Sequence, residues 1–257
     1  MSLDFNIPMT GYEFIAIVIS IVALLLPAIR WGIKKFLIKT KLEIYPTNQL
    51  KLLYNESGSY INLDFSIECK YKNAIVQNIE TIITRENDGK KLELIQSTFK
   101  SPIYSAIGNN YVSSNEAAHP FKIEENGLTN IFLEESIKSA EIVNKLSEIH
   151  NNKLQGFKIS NNYEEDIKVF ESGNQYNNIY AKLYEELFWK KGKYTMQLII
   201  KYNKNKKMEK KYNFEIDEKE AKLFEANVTE ALVCRLKNAY NIPTNFYYGS
   251  KNYNELN

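Results

Sequence analysis

The run Phe14–Ile29 (FIAIVISIVALLLPAI) carries no charged side chain. Extended to Tyr12 and Trp31 it covers about 20 residues, and a helix of that length crosses the roughly 30 Å hydrocarbon layer of a bilayer. Such a helix must cross a membrane, sit in a soluble core, or be removed as a signal sequence. A buried core helix would need a comparably apolar helix nearby, and the sequence offers none. A cleaved signal needs a basic segment ahead of the apolar run, yet only Asp4 and Glu13 are charged there. The expectation is a short extracytoplasmic tail (1–11), a single transmembrane helix (12–31) and a basic juxtamembrane linker (32–41).

The flanks of the run agree. Thr10-Gly11-Tyr12-Glu13 is a capping box, which satisfies two orphan backbone donors at a helix start. Tyr12 and Trp31 stand where interfacial aromatics belong, and Pro27 falls where it can kink the last turns. Arg30, Lys34, Lys35, Lys39 and Lys41 follow with no acid before Glu43. The positive-inside rule then places the N-terminus outside and everything after Trp31 in the cytoplasm of a single-pass cell-membrane protein. Tyr12, Trp31, Arg30, Lys34 and Lys35 are the expected membrane-interface residues, and the bilayer is the first expected partner.

Behind the linker the composition is that of a globular domain, with 44% hydrophobic and 25% charged residues in 257. The net charge of +2 gives no global attraction to nucleic acid, and no specific nucleic acid is expected. Cys69 and Cys234 are too far apart to form a disulfide framework and read as buried, reduced thiols. The sequons at Asn55 and Asn227 lose their meaning in a cytoplasmic domain.

Ile61, Leu63, Phe65, Ile67, Cys69 and Tyr71 alternate with polar residues, the period of a half-buried strand. Leu50–Tyr54 reads as its hairpin partner across Asn55-Glu56-Ser57-Gly58. Turns at Lys72-Asn73 and Asn87-Asp88-Gly89 continue a meander through Ile75–Arg85 and Lys91–Ile95. Phe121–Glu124 and Leu128–Glu134 read as a further hairpin, and two strands beginning at Tyr194 and Tyr212 as the last. Residues 97–120 read as an irregular loop and 151–178 as a polar insertion.

Helices are expected around Ile137–Ile149 and Ile179–Phe188, which together form a helical insertion near 135–190. A third follows Asp217 as N-cap with Glu220 at its third position and stops before Pro243. The fold class expected is mainly β: a two-layer antiparallel sandwich over 42–216, a C-terminal amphipathic helix over 217–240 and an Asn/Tyr-rich tail over 241–257.

The blocks LDFSIECKYKNAIVQNIETIITRENDGKKLEL, HPFKIEENGLTNIFLE and GKYTMQLIIKY give this domain a family likeness. Their pattern resembles the immunoglobulin-like β-sandwich domains of uncharacterised bacterial single-pass membrane proteins. The likeness covers residues 42–216 and departs from the antibody type in lacking paired cysteines and a core Trp in register. It implies a fold and brings no functional residues.

Reactive chemistry is hard to find in the sequence. His119 and His150 have no metal-ligand partners at working spacing, and the 10 glycines form no phosphate-binding loop. Glu164-Glu165-Asp166 reads as a solvated acidic group. No catalytic motif and no cofactor are expected. The surface feature that stands out is a basic cluster, Lys201, Lys204, Lys206, Lys207, Lys210 and Lys211, on one hairpin, a candidate contact for an anionic surface. The functional expectation is a membrane-anchored cytoplasmic binding or scaffold module that meets another protein or self-associates through its anchor. The alternative is a membrane effector or sensor whose cytoplasmic domain binds a small ligand or foreign component and signals through the anchor.

Overall fold

The computed structural model describes residues 10–107, 110–204 and 206–256. Helix α1 (Gly11–Gly32) begins at the capping box: the Glu13 N–H donates to Thr10 Oγ1 and the Thr10 N–H donates to Glu13 Oε2 at 2.8 Å. It continues through a π-helical turn (Ile33–Leu37), giving 27 residues long and apolar enough to cross a membrane. None of them is buried against the rest of the chain.

Three residues later the chain enters the sheet. Strand β1 (Lys41–Asn55) turns at Glu56-Ser57 into β2 (Gly58–Lys70), the hairpin the sequence predicts, with Ile61, Leu63, Phe65, Ile67 and Cys69 on the buried face. β3 (Ala74–Arg85) pairs with β4 (Lys91–Ile107), and β8 (Gly192–Tyr202) with β9 (Lys206–Ile216), also as predicted. Every strand pair is antiparallel.

With β7 (Leu128–Ile137), β10 (Gly249–Asn252) and β11 (Asn254–Glu255), the order β10-β1-β2-β7-β4-β3-β8-β9-β11 differs from the expected meander and from two separate layers. One continuous sheet curls almost into a barrel. β2 and β3 are consecutive but not neighbours, because β7 (Leu128–Ile137) lies between β2 and β4. The predicted hairpin of Phe121–Glu124 with Leu128–Glu134 is therefore not formed. Glu125-Asn126-Gly127 does turn the chain, with Asn126 at φ 57° and its N–H held by the Cys69 carbonyl. The three-residue β6 (Phe121–Ile123) is too short to match β7 and pairs with β3, while β7 takes two long partners.

Residues 97–120 are likewise more regular than expected. β4 outruns its pairing with β3 and β7, and β5 (Asn110–Ala117) supplies the missing partner. A long strand with unpaired amides needs one whatever its Ser and Asn content. In the expected polar insertion, helix α3 (Tyr163–Ser172) starts where the Asn162 side chain accepts from the Glu164 and Glu165 N–H groups. Its buried positions are Asp166 and Phe170, too few to give a visible apolar period. α2 (Ala140–Asn152), α4 (Asn174–Glu186) and α5 (Glu218–Ala239) stand where three helices are predicted, but Ile137 ends β7 and Leu187 and Phe188 lie beyond α4.

The Asn/Tyr-rich tail joins the sheet. β10 (Gly249–Asn252) pairs with residues 49–52 of β1, and β11 (Asn254–Glu255) pairs with Asn213 and Tyr212 of β9, so one short segment touches both outer edges. Between them Tyr253 is buried edge-on to Tyr212, with centroids 4.9 Å apart, and its N–H donates to the Asn48 carbonyl.

The inner face of the curled sheet holds Leu52, Ile61, Ile67, Ile79, Leu94 and Ile200, all shielded from solvent. Glu135 of β7 is buried among them, and neither of its carboxyl oxygens makes a hydrogen bond. Burial pushes its pKa up to about 8, and Glu80 adds to the rise, so the folded protein holds it protonated at neutral pH. Since the unfolded chain ionises near 4.5, the folded state is favoured below that pH and loses this advantage as pH rises through about 8. Glu135→Leu is expected to raise the unfolding free energy at pH 8 by about 1–3 kcal/mol. It should also flatten the decline between pH 5 and 8, read by denaturant titration of the full chain in detergent.

Candidate functional site

The predicted basic hairpin is present, but its lysines do not act as one patch. Lys201 pairs with Glu80 at 2.5 Å, Lys207 with Glu209 at 2.7 Å, and Lys210 with Glu255. Lys204, Lys206 and Lys211 are exposed, Lys206 lying over the Tyr202 ring, and among the described residues they make no ion pair. At the end of α1, Lys35 Nζ sits 4.5 Å from the centroid of Trp31, and Lys34 pairs with Glu125 at 2.7 Å. Arg30 lies in the last turn and Tyr12 in the first, both exposed. Glu164-Glu165-Asp166 forms the first turn of α3, where Asp166 accepts from the Ser160 N–H and the Tyr240 hydroxyl. That is a structural role. Among the described residues no group of three His, Cys, Asp or Glu side chains is placed to hold a metal ion.

A denser constellation lies at the opposite end of the sheet from α1, where the β1–β2 turn meets α2 and α5. Gly58 has φ 93°, and a Cβ there would meet Ile137 and Leu146 side chains at 2.7 Å, so the turn lies tight against α2. This brings Glu56 to Lys153, the residue capping the C-terminus of α2. Lys153 is fully buried. Its Nζ donates to Glu56 Oε1 at 2.7 Å, to the Ala231 carbonyl at 2.6 Å and to Cys234 Sγ at 3.0 Å, and lies 3.3 Å from His150 Nδ1. The Cys234 thiol donates to the same Ala231 carbonyl.

Beside this cluster a cavity of about 450 Å³ is lined by Glu56, Ser57, His150 and Arg235 on its polar side and by Ile137, Val143 and Leu146 on its apolar side. His150 is buried, and its Nε2 has no hydrogen-bond partner. Burial first, and then the Lys153 charge, lower its pKa to about 4, leaving a neutral imidazole at physiological pH. Burial raises the Cys234 thiol to about 11. Burial pulls the Glu56 carboxyl upward, but the contacts from Cys234 and Lys153 outweigh it and keep Glu56 ionised. A thiol at about 11 with an uncharged imidazole is poorly disposed to nucleophilic attack, which needs the thiolate. The same set is well disposed to binding. Arg235 offers donors, Glu56 an acceptor and the serines both, beside an apolar wall.

Sequence reasoning missed this site. Cys234 reads correctly as a buried thiol, and Cys69 likewise, its thiol donating to the Lys72 carbonyl. The His150–Lys153 spacing puts both side chains near one face at the end of α2, but nothing local links them to Glu56 or Cys234, which come from distant segments. The sequon residue Asn227 is also buried, bonded to the Tyr54 and Tyr247 carbonyls.

No family model and no curated protein matches the chain. Among solved structures, a family 123 glycoside hydrolase from Clostridium perfringens, studied for glycolipid glycan hydrolysis, is similar at 11% identity with a TM-score of 0.33. The match covers 70% of this chain and 28% of that one, so this chain spans less than a third of the length of that enzyme. A likeness at that level carries no functional argument.

Lys153→Met is expected to leave Glu56 without its buried cation, the Ala231 carbonyl keeping the Cys234 thiol as donor, and to cost about 2–4 kcal/mol of stability by denaturant titration. The same variant should raise the His150 pKa from about 4 while keeping it below 6.5, because burial, the larger cause, persists. With only two histidines in the chain, imidazole NMR resolves the shift. The sign follows from the unfolded value. His150 contributes stability that is present above pH 6.5 and lost as pH falls to about 4.

Proposed function

We propose that this chain is a membrane-anchored binding module on the cytoplasmic face, with the Glu56–His150–Arg235 cavity as its recognition site. The observation that carries the reading is the placement of that cavity at the end of the sheet opposite an unburied apolar helix. An apolar stretch of 27 residues with no protein to cover it is stable only in an apolar surrounding, and the lysines after it favour the cytoplasmic side. The cavity volume suits a small ligand, and its lining suits one that is polar at one end and apolar at the other.

We read the module as non-enzymatic, on the protonation states at the cluster: a protonated thiol and a neutral histidine whose free nitrogen is a recognition group. Its kinship to immunoglobulin-like domains is proposed on the all-antiparallel pairing and on the return of β7 between β2 and β4. The cavity also favours a second reading, a membrane sensor that signals through the anchor. In α1 the Ser20 hydroxyl donates to the Ala16 carbonyl at 2.8 Å, and with Ala23 these small side chains allow close helix pairing.

A thermal-shift screen of small carboxylates and amphiphilic metabolites on the full chain in detergent is expected to find stabilising compounds. Their effect should fall at least tenfold in apparent affinity in Arg235→Ala and in His150→Phe. A screen in which every shift survives both substitutions overturns the cavity as the site. A C-terminal reporter active only outside the cytoplasm overturns the topology. Oligomer formation that changes with ligand selects the sensor reading over the simple binding module.

A further inference from the structure

At the α1 end of the sheet, three connections gather around the exit of the anchor: β2–β3, β6–β7 and β8–β9. Lys72 of the first donates to the Lys35 carbonyl at 2.8 Å, and Glu125 of the second pairs with Lys34. Asn203 of the third bonds the Ile75 N–H at 2.9 Å and reaches Thr40, next to the start of β1. These contacts fix the connections close to the last turn of the apolar helix.

What the connections display is unusual for a water-facing surface. Tyr71 occupies a three-residue turn closed by the Lys72 N–H and the Lys70 carbonyl, at φ 73°. A tyrosine in that region of backbone space is strained. The turn leaves the side chain 49% exposed at the tip, with Ile75 at 52% and Leu128 at 61% on the neighbouring strand starts. Phe36 and Leu37 of the π-helical turn are exposed beside them.

Charge around this apolar set is one-sided. Glu43 pairs with Lys41 and Lys70, Glu68 opposite Leu128 also with Lys70, Glu124 with Lys122, and Glu125 with Lys34. Lys39, Lys204 and Lys206 make no ion pair among the described residues, and Lys35 and Lys72 add two further cations. Exposed apolar tips within a rim of lysines, continuous with a helix that enters a bilayer, match the chemistry of an anionic lipid surface.

We propose that this end of the sheet is a second membrane contact, with Tyr71, Ile75 and Leu128 seated among the headgroups and Lys39, Lys204 and Lys206 held by anionic lipid. The inference rests on the reading of α1 as a membrane span. Each lysine contributes about 1 kcal/mol near such a surface, so the contact depends on lipid charge and fades with salt. The domain is then fixed in orientation as well as tethered. Of the basic hairpin, Lys204 and Lys206 belong to this contact, while Lys201, Lys207 and Lys210 are held by glutamates on the wall of the sheet.

The test uses the full chain in nanodiscs whose lipids carry a headgroup nitroxide, which quenches nearby tryptophan. Tyr71→Trp and Leu128→Trp report on this end, Val143→Trp on the cavity end, and native Trp31 on insertion of the anchor. In discs with about a third phosphatidylserine, the probes at 71 and 128 are expected to lose at least half their intensity, and the probe at 143 almost none. Neutral phosphatidylcholine discs, or the triple change Lys39→Glu, Lys204→Glu and Lys206→Glu, should restore most of the signal at 71 and 128 while Trp31 stays quenched. Probes at 71 and 128 that behave like the one at 143 while Trp31 is quenched overturn the contact and leave the anchor standing. Quenching at 71 and 128 that ignores lipid charge and the triple change overturns it as well. An unquenched Trp31 overturns the anchor and the contact with it. Emission from buried Trp189 reports that each variant is folded.

Discussion

A curved antiparallel sheet must dispose of its two edges, and in this chain everything else is arranged so that the tail can do so. β1 and β9 would each present a row of unpaired N–H and C=O groups, an invitation to pair with another chain. β10 and β11 pair with the middle of each, four residues of β1 and two of β9, pivoting on buried Tyr253. The tail can reach both edges because α5 returns the chain to the right place. α5 is pinned to β1 and to the tail by Asn227, whose amide donates to the Tyr54 and Tyr247 carbonyls and whose oxygen accepts from the Tyr247 N–H. Phe224 packs against Tyr247 and Trp189, and the Trp189 indole donates to the Leu53 carbonyl. The same contacts therefore hold both the tail on β1 and α5 on the sheet.

Buried polar groups divide into those that specify this arrangement and those that burden it. Asn227 and Lys153 have their bonding capacity met, so a displaced α5 would leave carbonyls and a charge unpaired at several kcal/mol each. They favour one register of helix on sheet. Glu135 does the opposite, since protonation removes its charge but leaves a polar group among apolar side chains. Thr81 is the polar side chain that favours its ionised form, yet the Thr81 hydroxyl is itself without a partner. The residue lowers stability at neutral pH.

Local signals in the sequence identify local structure well here. Strict alternation in Ile61–Cys69 and the capping boxes at Thr10 and Asp217 each depend on neighbours within a few residues, and each matches the structure. The sheet order was not legible. Whether β7 pairs with β6 or enters between β2 and β4 is settled by strand length and by competition for partners, which no window of sequence contains. The roles of residues 97–120 and of the tail were hidden for the same reason, since Ser, Asn and Tyr become strand when an edge needs covering. The cavity is the extreme case. Glu56, His150, Lys153 and Cys234 are individually unremarkable, and their chemistry arises from contacts between distant segments.

The two ends of the sheet do different physical work because of the distance between them. β1 runs from the anchor to the cavity in 15 residues, which at about 3.3 Å each and with the tilt of strands in a curled sheet is a separation of roughly 35–50 Å. The Debye length in physiological salt is about 8 Å, so the potential of an anionic leaflet is spent long before it reaches Arg235. On the proposed placement of α1 in a bilayer, Arg235, held by the Asn151 side chain at 2.8 Å, would then meet anions from solution, and the lysines beside α1 those of the leaflet. Only three residues separate the π-helical turn from β1, and Lys34 and Lys72 clasp that connection to the sheet. A floppy tether would sweep the cavity through all orientations, including ones that press it on the lipid. With α1 in a bilayer as proposed, a clasped one would hold its mouth toward the aqueous phase and couple the cavity end of the sheet to the helix.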